Sequence, residues 1–454
     1  FFPAGVNNTT MGMNSKAAEL AKRFLPKSVT TPFVKEGSWA VAGGADLDGI
    51  LLPGQQAGND IAFWVVPPDD EEMLKYWRRE IDMFLAAGVT LGKQHMAVPF
   101  FNALRELWER GELKMRFRMP AILIPQISGH TVELPAGENA EAFFRRWANL
   151  SHLGDNMLRI VGLRIPAVGG NVMGGDAWML TPKVRPYPDR WGNASPYGGR
   201  IQEQEAVEKG LKDTFRGRDV LIWATRFGWD VSCDHCIGDR AIREVVKAWE
   251  EAKQNMIVNR RNQRLTTNHT PMAHPDDIKR MAALKIWSSI STGHSFGGGR
   301  QSKDLEAGLW WGGTEQVNSW SPVKSYIEAG SHPSLEGTMW DWGPRRGIEG
   351  EGYSGRSAFF WVGKAVTRKD EKYNRVWNPK EALSREEALW AATLWSAEQL
   401  AEDHEMGSIE VGKEADLLII DRDYMTIPTD EIQKIQVLLT MVGGKVVFER
   451  EGAL

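Results

Sequence analysis

Through most of this chain, helix-period segments alternate with short strand-like ones, and that alternation limits the fold more than any other feature. "DDEEMLKYWRREIDMFLAAGVT" carries acids in its first turn, apolar Met73, Trp77, Ile81 and Phe84 at helical spacing, and Gly88 as a stop. It predicts an amphipathic helix running into a strand at Val89. Next come helix "ALRELWERGE" and strand "LKMRFRMPAILI", then helix "AEAFFRRWANLSHL" and strand "LRIVGLRIPAVGG". In "DRAIREVVKAWEEAKQ", Ile242, Val245, Val246 and Trp249 share one face, giving a further helix. Strands separated by helices of this length imply parallel βα units. The fold class expected is α/β, a TIM-like (β/α)8 barrel, with catalytic groups at the C-terminal strand ends.

From about residue 290 to 355 the pattern loosens into Gly-, Ser- and Trp-rich sequence, too long for a plain connector and expected to form functional loops. The end of the chain is β-rich. "GSIEVGKEADLLIIDRD" and "VLLTMVGGKVVFE" read as strands, the second with a hairpin signal at Gly443-Gly444. The division expected is a barrel over 1–400 and a small β unit over 401–454.

The 454 residues suffice for a large core. A net charge of -4 with 25% charged residues gives no electrostatic case for nucleic acid, leaving small molecules or proteins as partners. No apolar run reaches membrane-span length, and the first residues lack a secretory pattern, so a soluble protein, cytoplasmic or periplasmic, is expected. Two cysteines in so long a chain argue against a disulfide scaffold. Of the 20 tryptophans, those beside Gly or Pro (Trp310, Trp311, Trp320, Trp340, Trp342) are candidates to line a pocket for a partly apolar or aromatic substrate; core filling is the plainer role for most.

Several blocks resemble the amidohydrolase superfamily, in its amidohydrolase-3 branch of metal-dependent hydrolases. The similarity is densest from Glu381 to Glu449, and extends to "HCIGDRAI", "NHTPMAHPDDIKRM", "NSKAAELA" and "DLDGIL". The resemblance implies a metal-dependent hydrolase of C–N bonds, holding one or two divalent ions, expected to be zinc, in a barrel with a small β-sandwich built from both chain ends. Imidazole and carboxylate ligands let such an ion polarise a scissile carbonyl and acidify water. In that family the ligands are a His-x-His at strand 1, a lysine at strand 4, a histidine each at strands 5 and 6, and an aspartate at strand 8. His235 and His269 match the strand 5 and 6 histidines and are the expected metal ligands.

The other positions differ. None of the nine histidines forms a His-x-His. The lysine position holds Arg164, a candidate for neutralising a substrate carboxylate or holding an internal ion pair, and a nearby aspartate position holds Val168. At the last strand an ungapped match gives Thr338, and a small insertion gives Asp341, the candidate catalytic residue. Two explanations stand open. The His-x-His portion is supplied by a separate chain or cleaved segment, making a heteromer, or the site is altered and the chain completes a partner's site without full chemistry of its own.

The remaining candidates are pocket residues or second ligands: His95 at a strand end, His294 beside a glycine run, His332, and Trp340. Asp239 opens a helix, where charge complementarity explains it and a position behind the metal ligands is the functional alternative. Cys233 and Cys236 flank Asp234-His235 as a C-x-x-C. Redox chemistry wants such a pair at a helix N-terminus, and these fall at the end of a strand, so they are expected to pack while His235 carries the chemistry.

Overall fold

The computed structural model describes residues 11–12, 50–51, 70–93, 98–121, 139–165, 217–233, 236–270, 272–292, 296, 305, 309, 313–315, 317–337 and 357–452. Two two-residue strands open the element order: β1 (Met11–Gly12) and β2 (Ile50–Leu51), joined antiparallel. The βα alternation then runs as the sequence predicts. Helix α1 (Asp70–Ala86) leads to β3 (Leu91–Lys93), α2 (Val98–Glu109) to β4 (Arg116–Ala121), and α3 (Ala140–Arg146) to β5 (Leu158–Ile165). Helix α4 (Arg218–Arg226) leads to β6 (Val231–Cys233), α5 (Asp239–Gln254) to β7 (Leu265–Thr267), α6 (Pro275–Ala283) to β8 (Ile286–Ile290), and α7 (Val323–Glu328) to β9 (Ser334–Leu335). Strands β3 to β9 pair in parallel in chain order, an open seven-stranded sheet of TIM-like curvature.

The apolar stripes read from the sequence face the core. Met73, Trp77 and Ile81 of α1 pack with Leu104 and Leu107 of α2 and Phe117 of β4. Ile242, Val245, Val246 and Trp249 of α5 join Val231, Cys233, Leu265 and Ile286 in the main core between sheet and helices. At Gly162 the φ of 88° suits only glycine, and an added Cβ would lie 2.2 Å from the Asp230 carbonyl oxygen. The β4–β5 register shifts beside it, between Met119 and Ala121.

Helix α7 and strand β9 stand inside the Gly-, Ser- and Trp-rich stretch, in the segment where the resemblance puts the last barrel strand; its two residues, Ser-Leu, have no alternation for a pattern to reveal. Within the same stretch Trp320 is buried with Phe296, Val317 and Trp377 in a small satellite core, as the plainer reading of the tryptophans has it.

After α8 (Phe359–Thr367), α9 (Arg385–Ala392) and α10 (Leu394–Gln399), the chain crosses the N-terminal end of the sheet and closes it. Glu402 accepts from Arg118 Nε at 2.7 and 2.8 Å and from Arg159 Nη1 at 2.7 Å. Gln399 bonds Ser289 and Ser334, and the Glu398 carbonyl accepts from Arg264 Nε. The C-terminal β unit is the antiparallel sheet β10 (Leu417–Ile420), β11 (Val437–Val442) and β12 (Lys445–Glu449). Its hairpin turns at Gly443 and Gly444, both with positive φ, as the Gly-Gly signal predicts. The second layer of the expected sandwich lies outside the described residues.

Candidate active site

Strand β7 ends at Thr267, and the residues after it are held tightly. Asn268 N–H donates to the Cys233 carbonyl at 2.9 Å, and the Asn268 carbonyl accepts from Cys236 N–H at 3.2 Å. The loops that follow β6 and β7 are thus stitched together at Asn268. This explains the place of Cys233 and Cys236: both are fully buried free thiols in the main core, and Cys236 Sγ lies 3.6 Å from the Cys233 carbonyl. His235, between them in sequence, lies outside the described residues.

The next residue, His269, turns the chain with a φ of 68°, an uncommon conformation for a non-glycine residue that marks a constrained position. Its backbone N–H donates to Glu336 Oε2 at 3.1 Å, and its ring Nδ1 forms an ion-pair contact with Glu336 Oε1. Both side chains are largely buried. Glu336 directly follows β9, so an imidazole and a carboxylate from the C-terminal ends of two strands meet at the face where catalytic groups gather in such sheets. Sequence matching missed Glu336, because it sought an aspartate two to five residues further on. The available signal was an acid directly after the final strand.

The other candidates separate into four groups. Arg164 stands on β5, register-paired with Ser232 of β6, on the inward side because its neighbours Leu163 and Ile165 lie in the outer core. Asp239 is the first residue of α5, and its Oδ1 accepts the Arg240 N–H, as its place at a helix N-terminus predicts. His332 precedes β9, at the opposite end of the sheet from His269. Its Nδ1 meets Glu398 at 2.5 Å and its ring stacks on Trp395 at 4.9 Å, so it packs against the floor instead of lining the site. His95, His294, Trp340 and Asp341 lie outside the described residues, as do Arg164's sequence neighbour Val168 and Thr338.

Among the described residues no group of three or more His, Cys, Asp or Glu side chains comes together as a metal cage. His269 with Glu336 supplies one imidazole and one carboxylate, the donor types that suit a zinc-like ion.

A family model described as "Amidohydrolase family" matches residues 29–336 and 355–448. This chain belongs to the amidohydrolase family. Among relatives, an N-substituted formamide deformylase of Arthrobacter pascens is 29% identical over 235 residues, 52% of this chain and 39% of that protein. Protein LONG AFTER FAR-RED 3 of Arabidopsis thaliana is 27% identical over 221 residues, 47% of this chain and 33% of that protein. The matches span well under half the length of either. The fold is similar to that of a crystal structure of an uncharacterized metal-dependent hydrolase of Pyrococcus horikoshii, with a TM-score of 0.62 at 17% identity, covering 93% of this chain and 71% of that one. With the family established, the seven parallel strands are an amidohydrolase barrel lacking, among the described residues, a strand to join β3 and β9. Among the described residues, no helix is long and apolar enough to cross a membrane.

Proposed function

We propose that this amidohydrolase-family chain is a metal-dependent hydrolase of a C–N bond in an amide, formamide, carbamate or cyclic amide. The observation that carries the reading is the His269–Glu336 pair at the mouth of the sheet. The ion's ligands on this reading are His235 and His269, with one or two ions, zinc being the expected one. Such an ion supplies Lewis-acid polarisation of the scissile carbonyl and acidification of water.

The chain's own contribution follows from the contact at Nδ1. On this reading Glu336, in contact with Nδ1, orients the ring so that Nε2 is the atom left to the ion. If instead Glu336 itself faces the reacting water, its carboxylate is the general base, a role that displaces Asp341 as first candidate. His95, His294, Trp340 and Arg164 remain proposed substrate contacts, with Asp239 behind the ligands, and the name of the deformylase relative supports formamides among the substrates. The nine histidines include no His-x-His, so the pair that the family carries at strand 1 is not among these 454 residues. We also place the boundary between barrel and β unit at 400/401, which puts the bridging acid Glu402 just inside the second unit.

The test is release of amine and acid from a panel of aryl-substituted formamides, amides, carbamates and cyclic amides by zinc-loaded protein. Turnover that disappears on chelation and in His269→Ala supports the reading; no turnover of any panel member contradicts it. A second reading, a subunit without chemistry of its own that completes a partner's site, is favoured by Arg164 where the family carries lysine. It predicts turnover only after the partner is added.

A further inference from the structure

The carboxylate that meets His269 stands on a weak footing if its strand is taken alone. Strand β9 has two residues, and its register rests on two pairs with β8, Ser289 with Ser334 and Ile290 with Leu335. Among the described residues no strand lies on its other side. The ladder runs one bond further, from the Glu336 N–H to the Ile290 carbonyl at 3.1 Å. A slip of one residue would move Glu336 by about 3.3 Å and turn it to the other face, out of reach of His269. So short a ladder needs a second hold on its register.

That hold comes from α10. Gln399, its last residue, is buried and closes a ring of bonds with Ser289 and Ser334. Gln399 Nε2 donates to Ser289 Oγ at 3.0 Å, Ser334 Oγ donates to Gln399 Oε1 at 2.7 Å, and the two hydroxyl oxygens lie 3.0 Å apart. All three side chains are buried, so a slip of β9 would leave polar groups unsatisfied away from water. The same helix grips the entry to β9, since His332 stacks on Trp395 and meets Glu398. Beyond Glu336, Gly337 lies so close to the Trp361 indole that a Cβ would have no room. Strand alternation then sets Ser334 and Glu336 on one face, with Leu335 between them turned to the main core.

We propose that Gln399 is a positioning residue for the site: by fixing the register of β9 through Ser289 and Ser334, it holds Glu336 against the ring and backbone of His269. Gln399 acts at a distance, through two residues of strand. The proposal concerns the contact itself, and it rests on the hydrolase reading only for its effect on turnover.

The test compares Gln399→Met, which keeps the length of the side chain and removes its bonds, with Glu336→Gln and with the double variant, all in the full chain. Two quantities are read: the magnetic-resonance signals of the His269 ring in protein carrying isotope-labelled histidine, identified by their loss in His269→Asn, and the affinity for zinc. Gln399→Met is expected to move the His269 signals in the same direction as Glu336→Gln and to weaken zinc binding by roughly tenfold. The double variant should lose little beyond Glu336→Gln alone, whereas independent sites would multiply their losses to within about twofold. Ser334→Ala, a smaller change, should move the same signals and carries the test if Gln399→Met does not fold. His269 signals like the parent's in a folded Gln399→Met or Ser334→Ala, or losses that multiply in the double variant, would overturn the proposal. Signals that move together in protein that neither binds zinc nor turns over any amide would keep the positioning role and remove the hydrolase reading.

Discussion

Glu336 grips His269 twice, one carboxylate oxygen on the backbone N–H at 3.1 Å and the other on ring Nδ1, across 67 residues of sequence. The double contact fixes both the strained backbone and the direction of the ring. Glu336→Gln keeps a hydrogen-bonding amide of the same size but removes the charge, and a partner of this kind typically accounts for roughly 10–100-fold in metal affinity or activity. The variant should fold like the parent and lose about that factor in kcat/KM and zinc affinity. Parental values for both would show that Glu336 only holds the loop.

Tyr326 lies behind the same strands, fully buried. Burial pushes its hydroxyl well above the ordinary phenol value of 10.0, with hydrogen bonds from Ser288 and Thr270 offsetting part of the effect. The folded state thus holds this proton more tightly than the unfolded chain. Its contribution to stability is whole below the unfolded phenol value and is lost as pH climbs from there through the folded one. Urea midpoints measured from about pH 8 to 11 should fall more steeply for the parent than for Tyr326→Phe. Identical slopes would place the hydroxyl in water.

The floor of the sheet depends on Arg118 and Glu402, 0% and 1% exposed, joined at 2.7 Å. Breaking a buried pair by removing one partner leaves an uncompensated charge and typically costs about 3–5 kcal/mol. Glu402→Ala removes the acid shared by Arg118 and Arg159, so a loss of that order in the unfolding free energy is expected from denaturant melts. A change below about 1 kcal/mol, the range of exposed pairs, would contradict the buried geometry.

The helices and the parallel sheet were legible because their signals are local: Trp77 and Trp249 sit on apolar stripes, and Gly443-Gly444 names its own turn. The site was legible only in part. His269 stands in a recognisable block, and the structure puts it at a strand end. Its partner Glu336 follows a two-residue strand in a Gly-rich segment, and nothing in that local pattern shows which strand it joins. His332 illustrates the converse. Its place near the last strand suggested a ligand, but sequence proximity does not say which end of the strand a residue occupies. The buried arginines of the floor, Arg116 and Arg118, were invisible for the same reason, since their acids lie about 300 residues away.

Cys233 and Cys236 should behave as core residues. With both fully buried, native protein should leave them unreactive toward a chromophoric disulfide reagent, and both thiols should appear at the rate of unfolding. Rapid reaction of either thiol in the folded state would reopen the redox reading.

The central claim, a metal-dependent amidohydrolase site at His269, is tested most directly by counting transition-metal ions per chain in protein purified without chelator, for the parent and for His269→Ala. The account predicts about one or two ions in the parent, as in zinc hydrolase centres, and a marked loss in the variant. Less than roughly a tenth of an ion in the parent, or equal content in both proteins, would contradict it.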